Sequence, residues 1–224
     1  MIEYSLTRMR RKTLAIYIRG GCVEVRAPLR MTKREIDSFV LSKEDWILKN
    51  LKRVRLQTRQ QCSFVVDYEC EILLRGKAYP VISRDSYKSG FDGTSFYISP
   101  GLTPEQVKMT CVQIYKQLAL THFNDRVKYY SEIMGIAPSA VQVTNAKKRW
   151  GSCSSKKKIC FTWRLVLADD DLIDYVIVHE LAHLIEMNHS SRFWAVVEKI
   201  LPDYANRRAG LRILHKRLAQ ESWD

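Results

Sequence analysis

The chain has 224 residues, 46% hydrophobic and 27% charged, with only 9 Gly, 6 Pro and a formal net charge of +13. That length buries a full core, and that balance excludes collagen-like, low-complexity and wholly disordered classes. No apolar run approaches the ~18–20 residues of a membrane span. The N-terminus passes from Ser5-Leu6 straight into Arg8-Met9-Arg10-Arg11-Lys12 without the apolar stretch of a secretory signal, so a cytoplasmic protein is expected.

The charge is uneven. Residues 1–60 hold 15 Lys+Arg against 6 Asp+Glu. Such a surplus attracts polyanions over about a Debye length, which makes nucleic acid or a nucleotide a candidate partner for the basic N-terminal region. No aromatic RNP pattern or Cys/His finger accompanies it. Cys22, Cys62, Cys70, Cys111, Cys153 and Cys160 lack CxxC spacing and read as reduced packing residues, although Cys153 and Cys160 flank a predicted turn.

In chain order, residues 14–18 and 23–25 are β-rich and joined through Gly20-Gly21, which predicts a hairpin. Thr32 with Glu35 forms a capping-box pattern, and Ile36, Phe39, Val40, Trp46, Ile47 and Leu51 predict helix to about Arg55, broken near Ser42, itself a possible second cap. Residues 64–66, 70–74, 79–82 and 95–98 read as an antiparallel β region. Thr103-Pro104-Glu105 opens a long helix ending near Gly135, with Val107, Cys111, Ile114, Tyr115, Leu118 and Phe123 on one stripe. Residues 141–143, 149–153 and 159–163 follow as strands. Asp169-Asp170-Asp171 then starts a further helix by capping free N–H groups and opposing the helix dipole. A soft boundary near residue 101 separates a β-rich N-terminal region, 1–100, from a C-terminal region, 101–224, that holds the chemistry.

That last helix carries His179-Glu180-Leu181-Ala182-His183, an H-E-x-x-H pattern. Four residues advance a helix by ~400°, so both imidazoles leave one face about one turn apart and can hold one Zn²⁺. A catalytic zinc takes three protein ligands, and the remaining candidates are Glu186 and His189. On a continued helix Glu186 stands ~10.5 Å of rise beyond His179, too far along. His189 requires the helix to end, with Asn188 in a left-handed conformation turning the chain back, and it is preferred as third ligand. Glu180 projects ~100° around the helix, free to act as general base toward a water whose pKa zinc lowers to ~7. Three of the five histidines fall within eleven positions.

Arg149-Trp150-Gly151-Ser152-Cys153-Ser154, Phe161-Thr162-Trp163-Arg164-Leu165, the H-E-L-A-H-L run, and Asn188-His189-Ser190 with Arg192-Phe193-Trp194 together resemble the YgjP-like family of small zincin metallopeptidases. The resemblance is strong over about residues 145–195. It implies an α+β, zincin-like catalytic core related to the SprT-like proteases of DNA–protein crosslinks, with His179, His183 and His189 matching metal ligands and Glu180 the base.

The Arg149–Ser154 strand can be read as a pairing edge for an extended substrate, while Trp150 and Trp163 read chiefly as packing under the active helix, with Gly151 permitting close approach. Phe193, Trp194, Val197 and Ile200 read as core, with Trp194 bracing the turn that carries His189. No transition-state stabiliser stands out: His215, Tyr204, Arg207 and Arg208 read as ordinary polar groups. The expected function is zinc-dependent hydrolysis of peptide or protein substrates. Two alternatives use the same features: a nucleoside triphosphate pyrophosphatase, though no P-loop is present, and a nucleic-acid-associated protease or binding module.

Overall fold

The computed structural model describes the chain over residues 2–223, apart from the side chains at positions 57 and 60–62, so the expectation for Cys62 lies outside the described residues. The fold is α+β and consists of two compact units, Met1–Phe64 with Ala219–Ser222, and Val65–Leu218 with Trp223–Asp224. The boundary expected near residue 101 therefore lies within the second unit, because the strands after Val65 pack against the helices that follow them.

In the first unit, β2 (Ala15–Arg19) and β3 (Cys22–Pro28) form the expected hairpin, with Gly20 and Gly21 at φ +55° and +80°. Strand β1 (Ser5–Met9), a polar segment without clean alternation that sequence reading passed over, pairs parallel with β3. Helix α1 (Lys33–Ser42) opens with the full Thr32–Glu35 capping box, and α2 (Glu44–Ser63) follows after Lys43, running eight residues beyond the expected end. Ser42 caps nothing: its hydroxyl donates back to the Phe39 carbonyl at 2.8 Å, the usual way a helical serine satisfies itself. Val23, Val25, Ala27, Ile36, Val40 and Ile47 close this unit's core.

The second unit is organised around α3 (Pro104–Met134), capped by Thr103 and Gln106 and ended by Gly135 at φ +66°. Its buried apolar and aromatic residues, Val107, Cys111, Ile114, Tyr115, Ala119, Phe123, Val127 and Tyr130, recur every three or four positions and pack two sheets and a second helix. The first sheet runs β4 (Glu71–Leu74), β5 (Lys77–Ser83), β7 (Phe96–Ile98), β6 (Gly90–Phe91). It is mixed rather than antiparallel, since β5 and β7 pair in parallel. Residues 64–66 are not strand. The second sheet has the order β8 (Ala140–Thr144), β10 (Lys158–Thr162), β9 (Gly151–Cys153), with β8 and β10 parallel. Trp163 opens a 3₁₀ turn, Trp163–Leu167, and stacks on Tyr115 at 5.5 Å with Trp223 edge-on to both. It is core toward α3, where burial of so large a ring contributes most.

Helix α4 (Asp170–Ala182) is apolar nearly all round, with Ile173, Val176, Ile177, Val178 and Leu181 all buried, the signature of a helix enclosed by protein. Its N-terminus is anchored differently from expectation. Asp169 makes no side-chain cap; instead Asp170 receives Arg75 through both oxygens and His122 at 3.0 Å. The β4–β5 turn presses on this end: Gly76 sits at φ +73°, and a Cβ there would lie 1.8 Å from an Asp169 carboxylate oxygen. On the far side, Arg126 of α3 clasps Asp174 at 2.7 and 2.6 Å while the Tyr130 hydroxyl donates at 3.0 Å. A buried carboxylate so fully paired fixes the rotation of α4, because losing a partner would strand its charge.

Candidate metal centre

Helix α4 ends at the H-E-x-x-H run. His183 is the C-cap of α4, and Leu184, Ile185 and Glu186 donate to Leu181 and Ala182 carbonyls in a tight terminal turn. The chain then reverses and restarts as α5 (Ser191–Ile200), whose cap Ser190 accepts from the Phe193 amide. The reversal does not use a left-handed Asn188. No positive φ occurs there, and the Asn188 side chain instead accepts from the Ser190 amide at 2.9 Å, holding the turn by a local side-chain bond.

This path brings His189 back onto the helix. The ligand nitrogens of His179, His183 and His189 all lie within 4.8 Å of one another. Nε2 of His189 is 3.1 Å from Nε2 of His179, close to the ~3.3 Å edge of a tetrahedron built from ~2.0 Å Zn–N bonds. His183 points Nδ1 at the Glu186 carbonyl, 3.2 Å away, which leaves Nε2 for the centre. Glu186 thus orients a candidate ligand through its backbone. Phe193 and Trp194 pack on the triad, with ring centroids 4.5–5.9 Å from the imidazoles, so Trp194 does brace the His189 turn.

The electrostatics suit a cation rather than protons. Burial, with His183 and His189 adding to it, lowers the His179 pKa to about 3, and burial also lowers that of His183. Three nitrogen donors without a carboxylate form the kind of set that zinc accepts. The Nδ1 of His179 is buried without a hydrogen-bond partner among the described residues.

Glu180 leaves α4 on another side and is 5% exposed. Burial pushes its carboxyl pKa up to about 8, with Arg149 opposing in part. Its room is made by Gly151 on β9, where a Cβ would stand 2.6 Å from Oε1 and 2.8 Å from Cδ of Glu180. The close approach expected of Gly151 is therefore to the carboxylate. Trp150 sits edge-on to His215, with ring centroids 6.0 Å apart. It lines a pocket of 570 Å³ together with His179, Glu180, Tyr175 and part of α6 (Tyr204–Leu218). Of the polar groups considered on α6, Arg207 pairs with Asp203 and Asp171, and Tyr204 stacks on Trp194. Arg208 and His215 face the pocket, joined by Arg212 and Lys216, which sequence reading did not single out. Their spacing of four and eight residues on a helix was the available signal.

An H-E-x-x-H helix buried in an α+β domain, with a third imidazole folded back to it, places the protein among the metal-dependent hydrolases. The chain belongs to the YgjP-like family, whose metallopeptidase-domain model matches residues 12–213. No curated protein matches it. Among solved structures, the metallopeptidase zymogen abylysin of Pyrococcus abyssi is 23% identical with a TM-score of 0.39, covering 44% of this chain and 97% of its own. The zymogen jannalysin of Methanocaldococcus jannaschii is 24% identical with a TM-score of 0.37, covering 42% and 95%. Among the described residues no helix is long and apolar enough to cross a membrane.

Proposed function

We propose that the protein is a zinc metallopeptidase in which His179, His183 and His189 hold the ion and Glu180 is the general base. The convergence of three imidazole nitrogens within 4.8 Å, one residue from a buried carboxylate, supports this reading above all else. A zinc ion held there would acidify a water and polarise a carbonyl. Glu180 takes the proton of the attacking water and returns it to the leaving amine, and no covalent intermediate with the protein is needed. Among the described residues strand β9 pairs with β10 alone, and an extended peptide would add to its other edge by main-chain hydrogen bonds beside Glu180.

The test is metal analysis of the purified protein together with hydrolysis of an unfolded protein substrate. One zinc per chain is expected, with cleavage abolished by a chelator and restored by zinc. Release of pyrophosphate from nucleoside triphosphates in place of protein cleavage would overturn the reading.

Gly151→Ala probes the cradle of the base. The added Cβ must displace the Glu180 carboxylate, and a ~1 Å misplacement of a catalytic group can cost ~10²-fold in rate. The expected result is a fall of that order in kcat/KM at unchanged zinc content, measured with a fluorogenic peptide. Unimpaired turnover would show that Glu180 need not sit where Gly151 lets it.

A further inference from the structure

The pocket beside Glu180 has one wall that the peptidase reading leaves unexplained. Arg208, Arg212 and Lys216 follow one another at four-residue intervals on α6, and all three, with His215, line the pocket. Exposed basic residues are ordinarily solvated or paired, and α6 shows what pairing looks like. Its Arg207, on an adjacent face, is taken up by Asp203 at 2.9 Å and by Asp171. By contrast Arg208, Arg212 and Lys216 have no carboxylate partner among the described residues, and the sole acidic side chain in the pocket is Glu180. Arg208 is held in place over the Trp194 ring at 5.4 Å. The helix itself is seated on α4 by buried Leu211 and by Gly210, where a Cβ would meet Leu172 at 2.9 Å. The cations are thus presented from a fixed scaffold, against apolar neighbours Trp150, Val176 and Leu211 that strengthen their field.

We propose that this α6 wall recognises an acidic segment of the substrate beside the bond to be cleaved. From Arg208 to Lys216 is ~12 Å along the helix, the span of about three to four residues of extended chain. That length fits a run of acidic side chains better than a single terminal carboxylate. The inference rests on the peptidase reading for the word substrate; the anion-binding wall is tested apart from it.

The experiment uses zinc-loaded Glu180→Gln protein and a fluorescent, C-terminally amidated peptide containing several Glu, compared by anisotropy with its Gln-for-Glu twin. The Glu peptide should bind about tenfold more tightly, the size a few partly exposed ion pairs reach together, and the advantage should shrink as salt rises. Adding Arg212→Glu and Lys216→Glu should remove it, at unchanged zinc content and helicity, whereas Lys88→Glu with Lys156→Glu, outside the pocket, should not. In protein that retains Glu180, the same preference should appear in kcat/KM and invert toward basic peptides in the charge-reversed protein. Equal binding of the two peptides, or a preference that survives the charge reversal, would overturn the proposal. If only a free C-terminal carboxylate confers tight binding, the assignment to an acidic segment falls. Inorganic triphosphate binding more tightly than the peptide, and lost on charge reversal, would overturn the peptide assignment as well. Acidic preference in binding with no cleavage of either peptide by the wild type would leave the wall standing and sink the peptidase reading.

Discussion

Glu180→Gln is expected to lower kcat/KM for peptide hydrolysis by about 10²–10⁴-fold, the range that general acid–base catalysis contributes. The substitution keeps the shape of the side chain and removes its capacity to accept a proton. Because Glu180 is buried, a neutral amide is easier to accommodate than a carboxylate, so thermal stability should be equal or higher. The carboxylate stands apart from the imidazole cluster, and the zinc content should remain one per chain. Kinetics, metal analysis and thermal unfolding on the same preparation separate a lost base from a lost site or a lost fold. Retention of full turnover by the variant would remove Glu180 from the mechanism.

The second large effect is on metal affinity. Apparent binding energies of ~10–16 kcal/mol shared over four ligands make each donor worth ~2.5–4 kcal/mol. His189→Ala should therefore weaken zinc binding by about two orders of magnitude or more, measured by competition with a chromophoric chelator. Glu186→Ala should leave the affinity unchanged, because Glu186 meets the site through its backbone carbonyl, which accepts from His183. The opposite pair of results would make Glu186 the third ligand.

Much of the fold follows from local rules. The α1 capping box, the α1–α2 break, the left-handed Gly135 that ends α3 and the β2–β3 hairpin each depend on residues a few positions apart, and each was legible. The errors concern partners distant in the chain. Strand β1 is too polar to announce itself and exists because β3 lies beside it. The parallel pairing of β5 with β7 depends on how the chain crosses between them, to which alternation of residues is indifferent. Asp169 looked like a cap, but the β4–β5 turn occupies its surroundings and Asp170 carries the ion pairs instead.

The site divides along the same line. An H-E-x-x-H pattern on a helix must put His179 and His183 on one face, since helical periodicity admits no other arrangement, so the sequence by itself determined that these two imidazoles stand together. Whether His189 or Glu186 approaches it depended on where α4 stops and on a turn held by the Asn188 side chain, and only the tertiary structure brought the His189 nitrogen to 3.1 Å from that of His179. The same holds for Gly151, whose missing Cβ matters because β9 runs against Glu180, and for α6, whose cations come to line one pocket only once Leu211 and Gly210 seat that helix on α4. Periodicity is a property of neighbours along the chain, whereas an active site is a property of neighbours in space, and packing is what converts one into the other.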